Sequence, residues 1–147
     1  MSEALLDVSV LVALFWRNHQ FHQVVQNWFT KNARTGWATC ALTEAAFVRI
    51  VSNPAFSASA VSPGEAVELL EANLSHPNHR FWQDEDGFVA AVKRVRGPLF
   101  GHRQVTDAYL LGLALGRKAR LTTLDRGIPH LLPEGVRTNT VEVIRGS

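Results

Sequence analysis

The chain has 147 residues, 46% apolar and 19% charged, with a formal net charge of +2 at pH 7. That length suits one domain spanning 1–147 with a real core, and the composition excludes a disordered chain. A lone cysteine, Cys40, excludes an internal disulfide framework and fits a reducing, cytoplasmic setting. No export signal is visible, and no apolar stretch approaches the roughly 20 residues of a membrane helix.

Residues 4–6 form a short apolar run ending at Asp7, and 8–15 stay apolar, which predicts a strand feeding a helix. Within 22–33, Val24, Val25, Trp28 and Phe29 fall at helical spacing. Gly36 stops that helix, and 37–40 reads as a second strand. A helix over 42–51 ends before Asn53-Pro54, because proline disfavours helix in the residue preceding it. The clearest start signal is Ser62-Pro63-Gly64-Glu65: Ser62 caps, Pro63 takes the first helical position and Glu65 completes a capping box. A short strand at 80–82 and a helix over 86–95 follow. Residues 105–115 are apolar almost all round, predicting a helix buried on most sides and ended by Gly116. Residues 120–124 read as a strand ending at Asp125, and 140–144 alternate as a last strand. Strands separated by helices imply an α/β fold: a mostly parallel central sheet flanked by helices in three layers.

Charge is unevenly spread. From Gly87 to Arg120 there are seven basic residues (Lys93, Arg94, Arg96, Arg103, Arg117, Lys118 and Arg120) and one acid, Asp107. Such a run suits a polyanionic partner, although a solvated charged face is the simpler account of the run alone.

The thirteen carboxylates sort by surroundings. Glu65, Glu68 and Glu71 lie on an exposed helix face, Asp84-Glu85-Asp86 is a polar run, and Glu3, Glu134 and Glu142 sit near termini or in polar stretches. Asp7, Glu44, Asp107 and Asp125 instead stand in apolar contexts, each at the C-terminal end of a strand or in the first turn of a helix. Taken singly, each suits a cap, a first-turn acid or a turn residue. Taken together, four acids at such ends converge on one crevice of a parallel sheet, where a hard divalent cation relieves their repulsion.

The segments Leu5-Leu6-Asp7-Val8-Ser9, Leu42-Thr43-Glu44, Val105-Thr106-Asp107-Ala108-Tyr109 and Leu121-Thr122-Thr123-Leu124-Asp125 resemble the four acidic motifs of PIN domains. More closely, the chain resembles VapC-type toxins, with order and spacing agreeing from about Leu5 to Ile144. The resemblance implies a PIN-like fold and a Mg²⁺- or Mn²⁺-dependent endoribonuclease, usually a homodimer, restrained by a cognate antitoxin protein. It implies metal binding by Asp7, Asp107, Asp125 and Glu44, and an orienting role for Ser9, Thr106 and Thr123. Products with 5′-phosphate ends follow, with Glu44 or Asp107 taking a proton from the attacking water. His102, Arg103 and Arg126 lie near the motifs and are candidates for holding RNA. The chain departs from many relatives at Gly127, where an acid or amide is frequent.

Other signals carry less. His19-x-x-His22 and His76-x-x-His79 lack partners for zinc, Cys40 reads as an inert core thiol, and glycine-rich phosphate loops are absent. The four tryptophans read as core or interface, with Phe15-Trp16 and Trp28-Phe29 as a conceivable apolar patch. A PIN-like module that binds without cutting, a receiver-type signalling domain and a DNA nuclease are the competing classes. The lack of any lysine after Lys118 argues against the receiver.

Overall fold

The computed structural model describes residues 2–95, 101–136 and 138–146, so Arg96 of the basic run lies outside the described residues. Five strands form one sheet in the order β3-β2-β1-β4-β5. These are β1 (Ala4–Leu6), β2 (Trp37–Thr39), β3 (His79–Phe81), β4 (Arg120–Thr123) and β5 (Val141–Val143), and every pairing is parallel. Strand β1 is central, with Leu6 opposite Thr122 and Leu5 opposite both Ala38 and Leu121.

The two-residue period of β1 explains the layers. Ala4 and Leu6 point to one face and Leu5 to the other. The Leu6 face packs against α1 (Val8–Phe15), α2 (His22–Asn32), α3 (Ala41–Val51) and α4 (Pro63–Leu74), through Leu11, Val25, Phe47 and Leu70. The Leu5 face packs against α5 (Phe88–Lys93) and α6 (Val105–Gly116), through Ala91, Leu110 and Leu111. Full burial of each such aliphatic or aromatic side chain contributes about 1.5–3 kcal/mol. Phe15 and Phe29 meet Trp37 edge-on, and Trp28 donates to Glu142, so these aromatics pack within the fold.

Helix α4 starts as its sequence predicts. Ser62 Oγ accepts from the Glu65 amide and Glu65 Oε1 accepts from the Ser62 amide, both at 3.1 Å. Ser62→Ala should therefore cost about 1 kcal/mol. A thermal melt should fall by roughly 2–4 °C in a chain of this size.

Helix α6 ends at Gly116 as expected, and Lys118 just beyond it takes a left-handed φ of 55°. Three members of the basic run make contacts within the fold, while Lys93, Arg103 and Lys118 stay exposed. Arg120 is buried and pairs with Glu142 at 2.8 Å; Arg94 binds Asp86 and the Gly112 carbonyl. Arg117 lies over the Trp82 ring and donates to the Gln83 carbonyl. Glu3 and Glu142, set apart above as terminal acids, accept from the indole N–H groups of Trp82 and Trp28. A guanidinium brought into a core is retained only with such partners, which is why buried Arg120 is paired, whereas Arg94 is half-buried and Arg117 stays exposed. Among the described residues no helix is long and apolar enough to cross a membrane.

Candidate active site

The strand order reverses direction between β1 and β4, and ligands of open parallel sheets bind outside the carboxyl ends at such a switch point. Asp7 directly follows β1, and Asp125 lies two residues beyond β4. Asp107 comes from the first turn of α6, the helix that leads into β4. A depression of about 540 Å³ lies elsewhere: Ser2, Leu115, Ala119 and Thr140 line it at the opposite end of the strands.

Asp7 is buried at the head of α1, yet its side chain does not cap that helix. Thr123 Oγ1 donates to Asp7 Oδ2 at 2.7 Å, and Ser9 Oγ donates to the same oxygen at 3.2 Å. Each hydroxyl also accepts from the turn after β4. The Asp125 amide donates to Thr123 Oγ1 at 3.0 Å and the Leu124 amide to Ser9 Oγ at 3.4 Å. These bonds fix the donor direction of both hydroxyls toward one carboxylate oxygen and keep the other oxygen clear of them.

Burial pushes the Asp7 carboxyl above its usual range, against the hydrogen bonds from Thr123, Val8 and Ser9, and the Asp125 charge adds to the rise. Asp107, half-buried, is pushed up to about 6, chiefly by burial and then by the charges of Asp7 and Asp125. Three aspartates from separate elements thus act on one another electrostatically. Asp125 is exposed, and its Oδ1 accepts from the Gly127 amide at 2.7 Å. It serves as the residue of its own turn as well as a member of the acidic set. A Cβ at Gly127 would stand 3.2 Å from that oxygen, so glycine suits the close turn.

Glu44 is held differently. Thr39 Oγ1 donates to Glu44 Oε2 at 2.7 Å and also lies 2.7 Å from His79 Nε2. The Glu44 charge acts on His79, whose pKa is lowered mainly by burial. It is not among the charges that raise Asp7 or Asp107. Thr106 is exposed, with no hydrogen bond to the acids among the described residues. His102 and Arg103 form an exposed turn leading into α6, and Arg126 is exposed beside Asp125. Thr39 and His79 escaped the sequence reading. The His76-x-x-His79 spacing drew attention to the ring, but a partner two strand positions away on β2 is invisible in spacing.

All four acids offer hard oxygen donors, the class that Mg²⁺ and Mn²⁺ take. Mutual repulsion at a buried edge is what a dication would relieve, so the donor set fits such an ion. Among the described residues, no group of three or more His, Cys, Asp or Glu side chains stands close enough together to hold a metal ion as placed.

Residues 4–131 match the PIN domain, and the chain belongs to that family. Within it, the chain is 45% identical over 135 residues to Ribonuclease VapC38 of Mycobacterium tuberculosis, covering 92% of this chain and 94% of that one. It is 39% identical over 133 residues to Ribonuclease VapC39 of the same species, covering 90% and 96%. Its fold is shared with VapBC2 from Rickettsia felis, crystallised bound to a promoter DNA fragment. That match has a TM-score of 0.61 at 15% identity and covers 88% of this chain and 96% of the other. FitAcB from Neisseria gonorrhoeae matches with a TM-score of 0.57 at 15% identity, covering 97% and 96%.

Proposed function

We propose that this chain is a Mg²⁺-dependent endoribonuclease, with Mn²⁺ as a substitute, and the toxin of a type II toxin–antitoxin pair. The observation that carries the reading is the placement of Asp7, Asp125 and Asp107 at the β1/β4 switch point, with Thr123 bonded both to the Asp7 carboxylate and to the Asp125 amide. The ribonuclease names of relatives at 45% and 39% identity support RNA as substrate. The reading extends to a cognate antitoxin protein as partner and a homodimer as the working state, as the resemblance to VapC-type toxins implies.

Asp7, Asp107 and Asp125 would hold the cation, with Glu44 approaching from the β2 side. When bound, such an ion supplies an acidified water and positive charge opposite the phosphoryl oxygens. The chain's own residues do the placing. Ser9 and Thr123 lock Asp7 through Oδ2, and the β4 turn locks both hydroxyls. Exposed His102, Arg103 and Arg126 flank the acids in sequence and are available to phosphates.

The test incubates purified protein with total RNA and Mg²⁺, beside Asp7→Asn protein and an EDTA control, and sequences new 5′-phosphate ends. Discrete ends should form only with the unaltered chain and metal. Equal cutting by the Asp7→Asn protein would remove the support for this site.

A further inference from the structure

We propose that Thr39 and His79 are positioning residues for Glu44, forming a relay from β3 through β2 to the first turn of α3. The inference rests on the metal-site reading above and assigns it two further residues.

The geometry follows from the sheet. Strands β2 and β3 run parallel, with Trp37 opposite His79 and Thr39 opposite Phe81. Trp37, Thr39, His79 and Phe81 therefore share one face, because side chains two apart on a strand and directly opposite across it project alike. His79 starts level with Trp37 and packs on that ring, with centroids 4.7 Å apart. From there its Nε2 reaches along the strand direction to Thr39 Oγ1 at 2.7 Å. Thr39 is fully buried, and its hydroxyl spans the gap to Glu44 Oε2 at 2.7 Å.

Proton accounting gives the relay a direction. A threonine hydroxyl has one proton and can donate once. Donated to Glu44, it leaves only lone pairs for the imidazole, so this direction requires Nε2–H on His79, in competition with the Leu74 backbone carbonyl for the ring proton. That bond orients the hydroxyl, and the hydroxyl fixes the Glu44 carboxylate through Oε2, leaving Oε1 as the oxygen offered to a cation or its water. Outer partners of this kind are worth about 10- to 100-fold in metal affinity. Trp37 holds the ring face and is itself almost wholly buried, so the far end of the relay is rigid.

The experiment measures Mn²⁺ affinity of the full chain by the loss of the free-ion electron paramagnetic resonance signal. Glu44→Gln, Thr39→Val and His79→Phe should each weaken binding by about 10-fold or more. Thr39→Val combined with Glu44→Gln, and His79→Phe combined with Glu44→Gln, should be no weaker than Glu44→Gln alone, within about twofold. Thr39→Ser keeps the hydroxyl and His79→Gln keeps an N–H donor, so both should stay near the unaltered affinity. His79→Phe preserves packing on Trp37 and serves if Thr39→Val fails to fold. Independently of metal, imidazole ¹⁵N shifts should show His79 protonated at Nε2. Fully multiplicative double variants, an unaltered affinity in Glu44→Gln, or a bare Nε2 would each overturn the relay. Undiminished Mn²⁺ binding by Asp107→Asn would instead overturn the metal-site reading on which it rests.

Discussion

Asp107→Asn should abolish metal-dependent RNA cleavage, by on the order of 10³-fold, while raising the thermal stability of the metal-free protein at pH 7.5. Both effects have one cause. The folded chain holds Asp107 beside Asp7 and Asp125 in a half-buried position, and its carboxyl is pushed from 3.8 up to about 6. A carboxyl whose folded pKa is raised binds its proton more tightly folded than unfolded. Its stabilising contribution is complete below the unfolded value and is lost as pH climbs through the folded one. The metal-free chain should therefore lose stability between about pH 4 and pH 6 through this group. Asparagine removes that loss, so the two melting curves should coincide near pH 4 and separate above pH 6. Mg²⁺ should raise the melting temperature of the unaltered protein by mass action and leave the Asp107→Asn protein unmoved. Scanning calorimetry at several pH values, with and without Mg²⁺, reads all of this. A variant no more stable than its parent at pH 7.5 would show that burial and the neighbouring acids do not penalise the charged Asp107 carboxylate as described.

Gly112→Ala should destabilise the fold by about 3 kcal/mol or more, at the upper end of overpacking costs. Gly112 lies mid-helix in α6, where α5 crosses closely. A Cβ built there would stand 1.9 Å from the Ala91 carbonyl oxygen and 2.5 Å from its carbon. Backbone cannot rotate away as a side-chain tip can, so the helices must separate. The same step carries Arg94, whose Nη1 donates to the Gly112 carbonyl at 3.1 Å. A melt lowered by roughly 6–12 °C is expected for a chain of this length. Normal melting of Gly112→Ala would mean that α5 yields freely. Glycine costs helix stability on propensity alone, so its presence here reports the crossing.

Much of the fold was legible because its signals are local. The Ser62 capping box, the apolar helix at α6 and the strands ending at Asp7 and near Asp125 all lie within a few residues of their causes. Boundaries shifted by small amounts: β3 begins at His79, one residue before the expected start, and α5 is shorter than 86–95 suggested. The basic run divides: Lys93, Arg103, Arg117 and Lys118 stay exposed as a solvated face would, while Arg120 is buried. Charge along a sequence does not tell whether a side chain turns into the fold: Arg120 does so to meet Glu142, while Arg94 and Arg117 meet Asp86 and Trp82 from more exposed positions.

By itself, the sequence determined the alternating strand–helix order, the parallel layers and the four acids placed at helix starts and strand ends, because periodicity and capping act over one or two turns. Tertiary structure decided which of those acids meet. Thr123 reaches Asp7 across 116 positions, and Thr39 reaches His79 across 40. Strand register creates both contacts: Leu6 opposite Thr122 brings Asp7 beside Thr123, and Trp37 opposite His79 brings the ring to Thr39. Register is set by packing of the whole sheet against its helices, so no local pattern encodes it.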